Sequence, residues 1–154
     1  FETPDPAYNC GRLLAIFDDL QMQAHSYKLE GAGVVERYYG SASSAPNSAF
    51  GILWRLHQHH LKKISRNGDT GKRAAEAIKR RIANIAALFP QLAPNLPPQF
   101  PRTFSLQEQG RFALGFYQQM AARKAVIDEY MRKKRAGELK HEEMDDELEL
   151  SENE

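Results

Sequence analysis

Basic side chains are concentrated in one stretch of the chain, between residues 55 and 81. This stretch holds nine Lys and Arg residues against two acids, Asp69 and Glu76. The nine are Arg55, Lys62, Lys63, Arg66, Lys72, Arg73, Lys79, Arg80 and Arg81. A surface of this kind neutralises phosphates and releases their counterions, and such binding needs no particular base sequence. The pattern predicts a nucleic-acid-binding surface; the alternative is a helix face kept basic for solubility.

Helical spacing would place these cations on shared faces. An apolar stripe with the spacing of one helix face runs through Phe50, Leu53, Trp54, His57, Leu61 and Ile64. The cations between residues 55 and 66 fall opposite this stripe. Further on, Lys72 and Lys79 are seven residues apart, as are Arg73 and Arg80, and seven residues is nearly two turns. Two successive helices are therefore expected to present the positive charge.

The run from His57 to His60 raises the question of a metal site. His57 and His60 are one turn apart, and His25 is available from another predicted helix. However, no carboxylate lies at ligand spacing beside them, and Cys10 is the only cysteine. We therefore predict no metal and no cofactor, with His57 as a buried core residue. A histidine-based metalloenzyme is the weakest of three functional hypotheses.

Catalytic constellations are hard to find in this sequence. The acidic pairs Asp18-Asp19 and Asp128-Glu129 are adjacent residues, whose side chains diverge around a helix. No glycine-rich phosphate loop and no nucleophile elbow occurs. Cys10 stands beside a predicted helix start, which would activate its thiol mildly. We predict a protein that is not an enzyme and has no catalytic residues.

Helical periodicity predicts an all-α protein, a single bundle of four to five helices with a long C-terminal helix. The first helix is expected to start with Asn9 as its N-cap and to end near Leu29. A turn is expected at residues 40–46, with Ser44 capping the following helix, and Thr70 is expected to cap the next. A segment with five prolines, residues 90–101, should contain no regular element.

The last predicted helix opens with a capping box, Ser105 to Glu108, and continues to about Arg135. Its core-facing positions are expected to be Phe112, Ala113, Phe116, Met120, Ile127 and Tyr130.

Charge divides the chain into two parts. Residues 1–136 carry a net charge of +9, whereas residues 137–154 carry −8. We predict a helical bundle domain at residues 1–136 and an acidic, disordered tail at residues 137–154. A basic body is typical of proteins that bind a polyanion, and the tail either remains solvated or competes for the basic face.

The single cysteine fits the reducing cytoplasm, and no apolar run approaches the ~18 residues of a membrane span. We predict a cytoplasmic protein without membrane contact. The first residue is Phe1 rather than Met, which suggests trimmed ends or a segment of a longer reading frame.

Four segments in the same order resemble one known family. They are residues 7–15 (AYNCGRLLA), 35–43 (VERYYGSAS), 56–61 (LHQHHL) and 105–119 (SLQEQGRFALGFYQQ). Together they resemble the C-terminal helical domain of the large subunit of the type I-C CRISPR surveillance complex, Cascade. In that family the domain is also made separately, by translation from an internal start, as the small subunit.

The resemblance implies a non-catalytic small subunit in a ribonucleoprotein complex for antiviral defence. Its expected partners are the backbone subunits, the large subunit and further copies of itself. It would contact the complex of guide RNA and target DNA, chiefly the displaced non-target single strand, and so stabilise the R-loop. The main alternative is a pure protein–protein scaffold whose basic face binds acidic partners.

Overall fold

Five helices make up most of the computed structural model, which describes residues 3–94 and 96–137. They are α1 (Pro6–Ala24), α2 (Val34–Ser44), α3 (Pro46–Ser65), α4 (Gly68–Ala86) and α5 (Leu106–Arg135). The described residues contain no strand, so the predicted all-α class and long C-terminal helix are confirmed. Apart from Gly137, the predicted acidic tail lies outside the described residues. Within the described part, no helix is both long and apolar enough to cross a membrane.

Helix α1 starts earlier than the sequence suggests. Asp5 is its N-cap, and the Asp5 carboxylate accepts hydrogen bonds from the backbone N–H groups of Ala7 and Tyr8. The prediction of Asn9 as the cap was wrong because Pro6 occupies the first helical position, where a missing N–H costs nothing. Asn9 is buried and donates to the Thr3 carbonyl oxygen at 2.6 Å.

The other end of α1 was also misplaced. The helix stops at Ala24 rather than near Leu29, because Ser26 and Tyr27 adopt left-handed backbone conformations with φ of 53° and 60°. Helical geometry cannot continue through such residues.

The predicted turn at residues 40–46 is mostly helix. Helix α2 continues to Ser44, and Ala45, not Ser44, precedes α3. The hydroxyls of Ser43 and Ser44 donate to the Gly40 carbonyl oxygen at 3.1 and 2.8 Å. This bonding to the preceding turn keeps the serine-rich segment helical.

Helices α1 and α5 run side by side in the same direction. Asp5 pairs with Arg111 near their starts, and Asp19 pairs with Arg123 further along. The backbones approach so closely that a Cβ on Gly11 would overlap the Phe112 carbonyl oxygen. We call this contact the α1–α5 junction; a Cβ on Gly115 would likewise overlap the Tyr8 carbonyl oxygen.

Helices α3 and α4 form a tight hairpin. Gly68 has a φ of 76°, and a Cβ on Gly71 would overlap the Ile64 carbonyl oxygen. Helix α4 therefore begins at Gly68, so the predicted cap at Thr70 was wrong. The inner face of α4 is formed by Ile78, Ile82 and Ile85, which are buried together with the following Phe89.

The chain between α4 and α5 closes the core without a regular element, as predicted for its described residues. Phe100 stacks on Phe50 with 4.8 Å between ring centroids, and it also contacts Phe89 at 5.0 Å. The capping box of α5 is confirmed: Glu108 N–H donates to Ser105 Oγ, and Ser105 N–H donates to the Glu108 carboxylate.

Candidate nucleic-acid interface

Helix α3 separates apolar and basic residues as the sequence predicts. Leu53, His57 and Ile64 are buried, and the predicted stripe also includes Trp54 and Leu61, which are half-buried. Opposite them lie four exposed cations, namely Arg55, Lys62, Lys63 and Arg66. Lys62 and Lys63 lie in the last turn, where the negative end of the helix dipole stabilises them.

Helix α4 repeats this arrangement with small and branched apolar residues. Its isoleucines face the core, and Ala75 and Ala77 are also buried. The exposed cations on this helix are Lys72, Arg73, Lys79 and Arg80. Because two packed helices carry these cations, their backbone positions are fixed relative to one another.

An open groove of 440 Å³ lies between α3 and α4 and brings cations of the two helices together. Its lining residues are Gln58, Leu61, Lys62, Ser65, Ala75, Glu76 and Lys79. Lys62 and Lys79 therefore line one groove from opposite helices, whereas Arg55, Lys63, Arg66, Lys72 and Arg80 are exposed outside its lining.

Most of these cations form no ion pair with another residue in the described part of the chain. Ion pairs of 2.5–3.2 Å use Arg111, Arg123, Lys124 and Arg132 of α5. Among residues 3–94 and 96–137, no ion pair involves the following seven cations of the hairpin: Arg55, Lys62, Lys63, Arg66, Lys72, Lys79 and Arg80. We call these seven the hairpin cations.

Arg81 lies apart from the hairpin cations, although its position in the sequence groups it with them. It is half-buried and lines a second groove, of 220 Å³, with Asp18, Asp19 and Arg123. Apolar side chains of α1 and α5, among them Ile16, also line that groove. Its burial there depends on the packing of α4 against α1, which charge counting cannot anticipate.

His57 and His60 are packed into the structure. His57 is 5% exposed, stacks on Phe17 with 4.8 Å between centroids, and contacts Trp54 edge-on. Burial lowers the pKa of His57 to about 4. Burial, with the charges of His25, His59 and Lys63, also lowers the pKa of His60 to about 4. The described residues contain no group of three or more ligands able to hold a metal ion.

The acidic pairs stabilise contacts between elements. Asp18 accepts a hydrogen bond from the Val35 N–H at 3.3 Å, and burial raises the Asp18 pKa. Asp19 pairs with Arg123 at 3.2 Å, which joins α1 to α5. In α5, Asp128 and Glu129 form ion pairs with side chains of their own helix.

Cys10 contradicts the expectation of a mildly activated thiol. Its side chain is fully buried, and burial raises the thiol pKa, with the Asp5 charge acting in the same direction. Helix α1 starts at Pro6, so Cys10 lies beyond the first turn of the helix. The helix dipole lowers the pKa of a thiol only within that first turn.

An exposed apolar stripe on α5 was missed in the sequence. Leu106, Leu114 and Tyr117 are 81%, 51% and 62% exposed, and Gly110 and Ala121 continue the same face. Buried Phe112 and Phe116 lie on the opposite side. Met120, predicted to face the core, is 45% exposed. Helical spacing of the residues around 106, 114 and 117 could have revealed this second face.

Comparison with known proteins identifies the family. The sequence model of the family described as CRISPR-associated protein (Cas_Csd1) matches residues 2–124, well over half of the chain. The chain belongs to this family. A search of curated proteins found no match. The resemblance drawn from the four segments is therefore confirmed at the level of the family.

Each of the four segments that carry the resemblance contributes residues to the packing between helices. Residues 7–15 and 105–119 form the α1–α5 junction. Residues 35–43 include Tyr39, whose ring packs edge-on against Phe112 and Phe116 at 5.4 and 5.2 Å. Residues 56–61 include the buried His57. These segments therefore include the main contacts between the helices, and the hairpin cations lie outside them.

Proposed function

We propose that this CRISPR-associated protein is a non-catalytic small subunit of a type I-C surveillance complex. In this role it binds nucleic-acid backbone and stabilises the R-loop by holding the displaced non-target strand. The observation that carries the proposal is the set of seven exposed hairpin cations that form no ion pair with any described residue.

The physical basis is the electrostatics of phosphate. A cation that forms no ion pair within the protein is available to neutralise a phosphate, and the release of condensed counterions supplies the free energy. Backbone contacts suffice for this task, because guide pairing reads the sequence in RNA-guided systems. A rigid helical hairpin fits such a role, since it places its charges without an ordering cost at binding.

The absence of catalysis belongs to the same proposal. Cys10 is buried with a raised pKa, and the two acidic pairs are engaged in contacts between or within helices. None of these groups is arranged as a nucleophile with an adjacent base. We also propose that the protein acts in the cytoplasm with the other subunits of its complex.

The test compares two variants that change charge equally. The hairpin variant carries Arg55→Glu, Lys62→Glu, Arg66→Glu and Arg80→Glu. The control variant carries Arg37→Glu, Arg102→Glu, Lys134→Glu and Arg135→Glu, all exposed positions outside the hairpin. Both lower the net charge by the same amount, so a difference between them reports position.

The measurement is the affinity of the full chain for a fluorescent single-stranded oligonucleotide as salt is varied. About four phosphate contacts give a salt slope near −3, or roughly 50-fold weaker binding at 200 than at 50 mM salt. The hairpin variant should lose most of this slope, while the control variant keeps it. Equal losses in both variants would refute the assignment to the hairpin.

The scaffold hypothesis is favoured by a different observation, the exposed apolar stripe on α5. A helix with apolar residues on both faces is normally buried on both. If the protein were a scaffold only, Leu114→Glu with Tyr117→Glu would prevent its incorporation into the complex, and the hairpin variant would bind oligonucleotide like the unaltered chain.

A further inference from the structure

The groove between α3 and α4 combines charge of both signs with apolar walls. Lys62 lines it from α3, and Lys79 lines it from α4. Glu76, one turn before Lys79, is the only acid among its lining residues. At neutral pH these three side chains give the groove a net charge of +1, which matches the single negative charge of one phosphodiester.

The neutral residues of the groove have distinct roles. Gln58 is exposed and its amide can donate to a phosphate oxygen. The Ser65 hydroxyl already donates to the Lys62 carbonyl oxygen at 2.8 Å, so it is not free to donate to a ligand. Leu61 and Ala75 supply an apolar surface against which a sugar can pack.

A single strand fits this groove better than a duplex does. Axes of packed helices lie about 8–10 Å apart, and a side-chain-lined groove between them is narrower than a duplex. A single strand, in contrast, can lay one phosphate between the two walls, with the adjoining nucleotides continuing over the exposed faces of the hairpin.

We infer that this groove is a seat for one phosphodiester of a single strand, clamped between Lys62 and Lys79 and opposed by Glu76. The inference rests on the proposed function and adds which residues of the hairpin contact one phosphate of the strand. The Glu76 carboxylate repels the phosphate, so it limits the affinity of a surface that must release its strand.

A matched pair of double variants separates the groove from the remaining hairpin. The groove variant is Lys62→Gln with Lys79→Gln, and the outer variant is Lys63→Gln with Lys72→Gln. Each removes two positive charges, but only the first pair lines the groove. A third variant, Glu76→Gln, removes the negative charge and keeps the shape of the side chain.

The experiment measures binding of a fluorescent single-stranded oligonucleotide to the full chain at low salt. We expect the groove variant to weaken binding about tenfold and to reduce the salt slope by about 0.7, the value for one phosphate on a single strand. The outer variant should weaken binding only about twofold, and Glu76→Gln should tighten binding about threefold. Amine acetylation read by mass spectrometry should show stronger protection of Lys62 and Lys79 by the oligonucleotide than of Lys63 and Lys72.

The alternative outcomes are distinguishable. If groove and outer variants weaken binding equally and Glu76→Gln has no effect, the hairpin binds nucleic acid but the groove is not a seat. If the unaltered chain binds no oligonucleotide and none of its lysines is protected, both the groove and the proposed function fail. Tighter binding of duplex than of single strand would also overturn the inference.

Discussion

The α1–α5 junction and the α3–α4 hairpin use glycine for close packing in both cases, but they present opposite surfaces. At the junction, Gly11 and Gly115 bring two backbones together and polar side chains are paired across it, as Asp5 is with Arg111. In the hairpin, Gly71 lets α4 start close to the end of α3, and the exposed faces carry the hairpin cations, which form no ion pair with any described residue. One region satisfies its own groups internally, whereas the other leaves its charge available to a ligand.

This difference explains why the segments that indicate the family do not indicate the site. Close helix packing permits few substitutes at Gly11 or Phe112, so such segments form recognisable strings. Backbone binding, in contrast, asks only for positive charge at suitable places. Family membership is therefore read from the junction, and the function has to be tested on the hairpin.

The largest effect is expected at the junction. Gly11→Ala should lower the free energy of unfolding by about 3 kcal/mol or more, because the new methyl group overlaps the Phe112 carbonyl oxygen and the Phe116 amide nitrogen. Urea unfolding followed by circular dichroism measures this. Stability equal to that of the unaltered chain would mean that α1 and α5 do not approach as closely as described.

A pH effect on stability should appear in the core, at His57 and His60. The folded-state pKa values of His57 and His60 are about 4, below the ordinary value of 6.5. The unfolded state therefore binds more protons between these values, and stability falls as the pH drops from about 6.5 to 4. His57 alone should account for a loss of about 2 kcal/mol between pH 7 and pH 4.5, and this part should be absent in His57→Leu. Urea unfolding at pH 7 and pH 4.5 tests it; an unchanged pH dependence in His57→Leu would contradict this assignment.

A smaller effect is expected at the start of α1. Asp5→Ala removes both the N-cap of α1 and the ion pair with Arg111, and it should destabilise the fold by about 1–2 kcal/mol. Asn9→Ala is not a substitute test of capping, because Asn9 is buried. Thermal unfolding of Asp5→Ala measures the effect, and Asp5→Ser should recover most of the loss by restoring a capping oxygen.

The smallest expected effect is an increase in stability. Gly110→Ala places a methyl group on the exposed face of α5, where no atom lies within 4 Å, and should stabilise the protein by about 0.5–1 kcal/mol. The same substitution at Gly11 is strongly destabilising. If urea unfolding shows the same change at both positions, helix propensity rather than close packing determines the role of glycine in this fold.

Sequence reasoning succeeded where periodicity and local side-chain chemistry decide the structure. The inner faces of α3 and α4 and the capping box at Ser105 follow from residue spacing alone. It failed at the starts of α1 and α3, because a proline at the first helical position and serines bonded to the preceding turn look like breakers. The parallel packing of α1 on α5 could not be predicted, since a glycine reveals its role only when its partner helix is known.

The candidate site, like the fold, was predicted only in part. Helical spacing placed the hairpin cations on exposed faces, but it could not show that Lys62 and Lys79 line one groove. It also grouped Arg81 with them, although the packing of α4 places that side chain beside Asp18 and Asp19. Apolar residues occur all around α5, so their spacing does not identify the buried face. Met120 was therefore wrongly assigned to the core.

The most direct test of the central claim is target-DNA opening by the assembled complex that contains the hairpin variant. Fluorescence of a base analogue in the non-target strand reports whether that strand stays displaced. The account predicts intact assembly with at least about a tenfold shorter lifetime of the open state, whereas the control variant retains it. A normal lifetime with the hairpin variant incorporated would show that the hairpin does not hold the displaced strand.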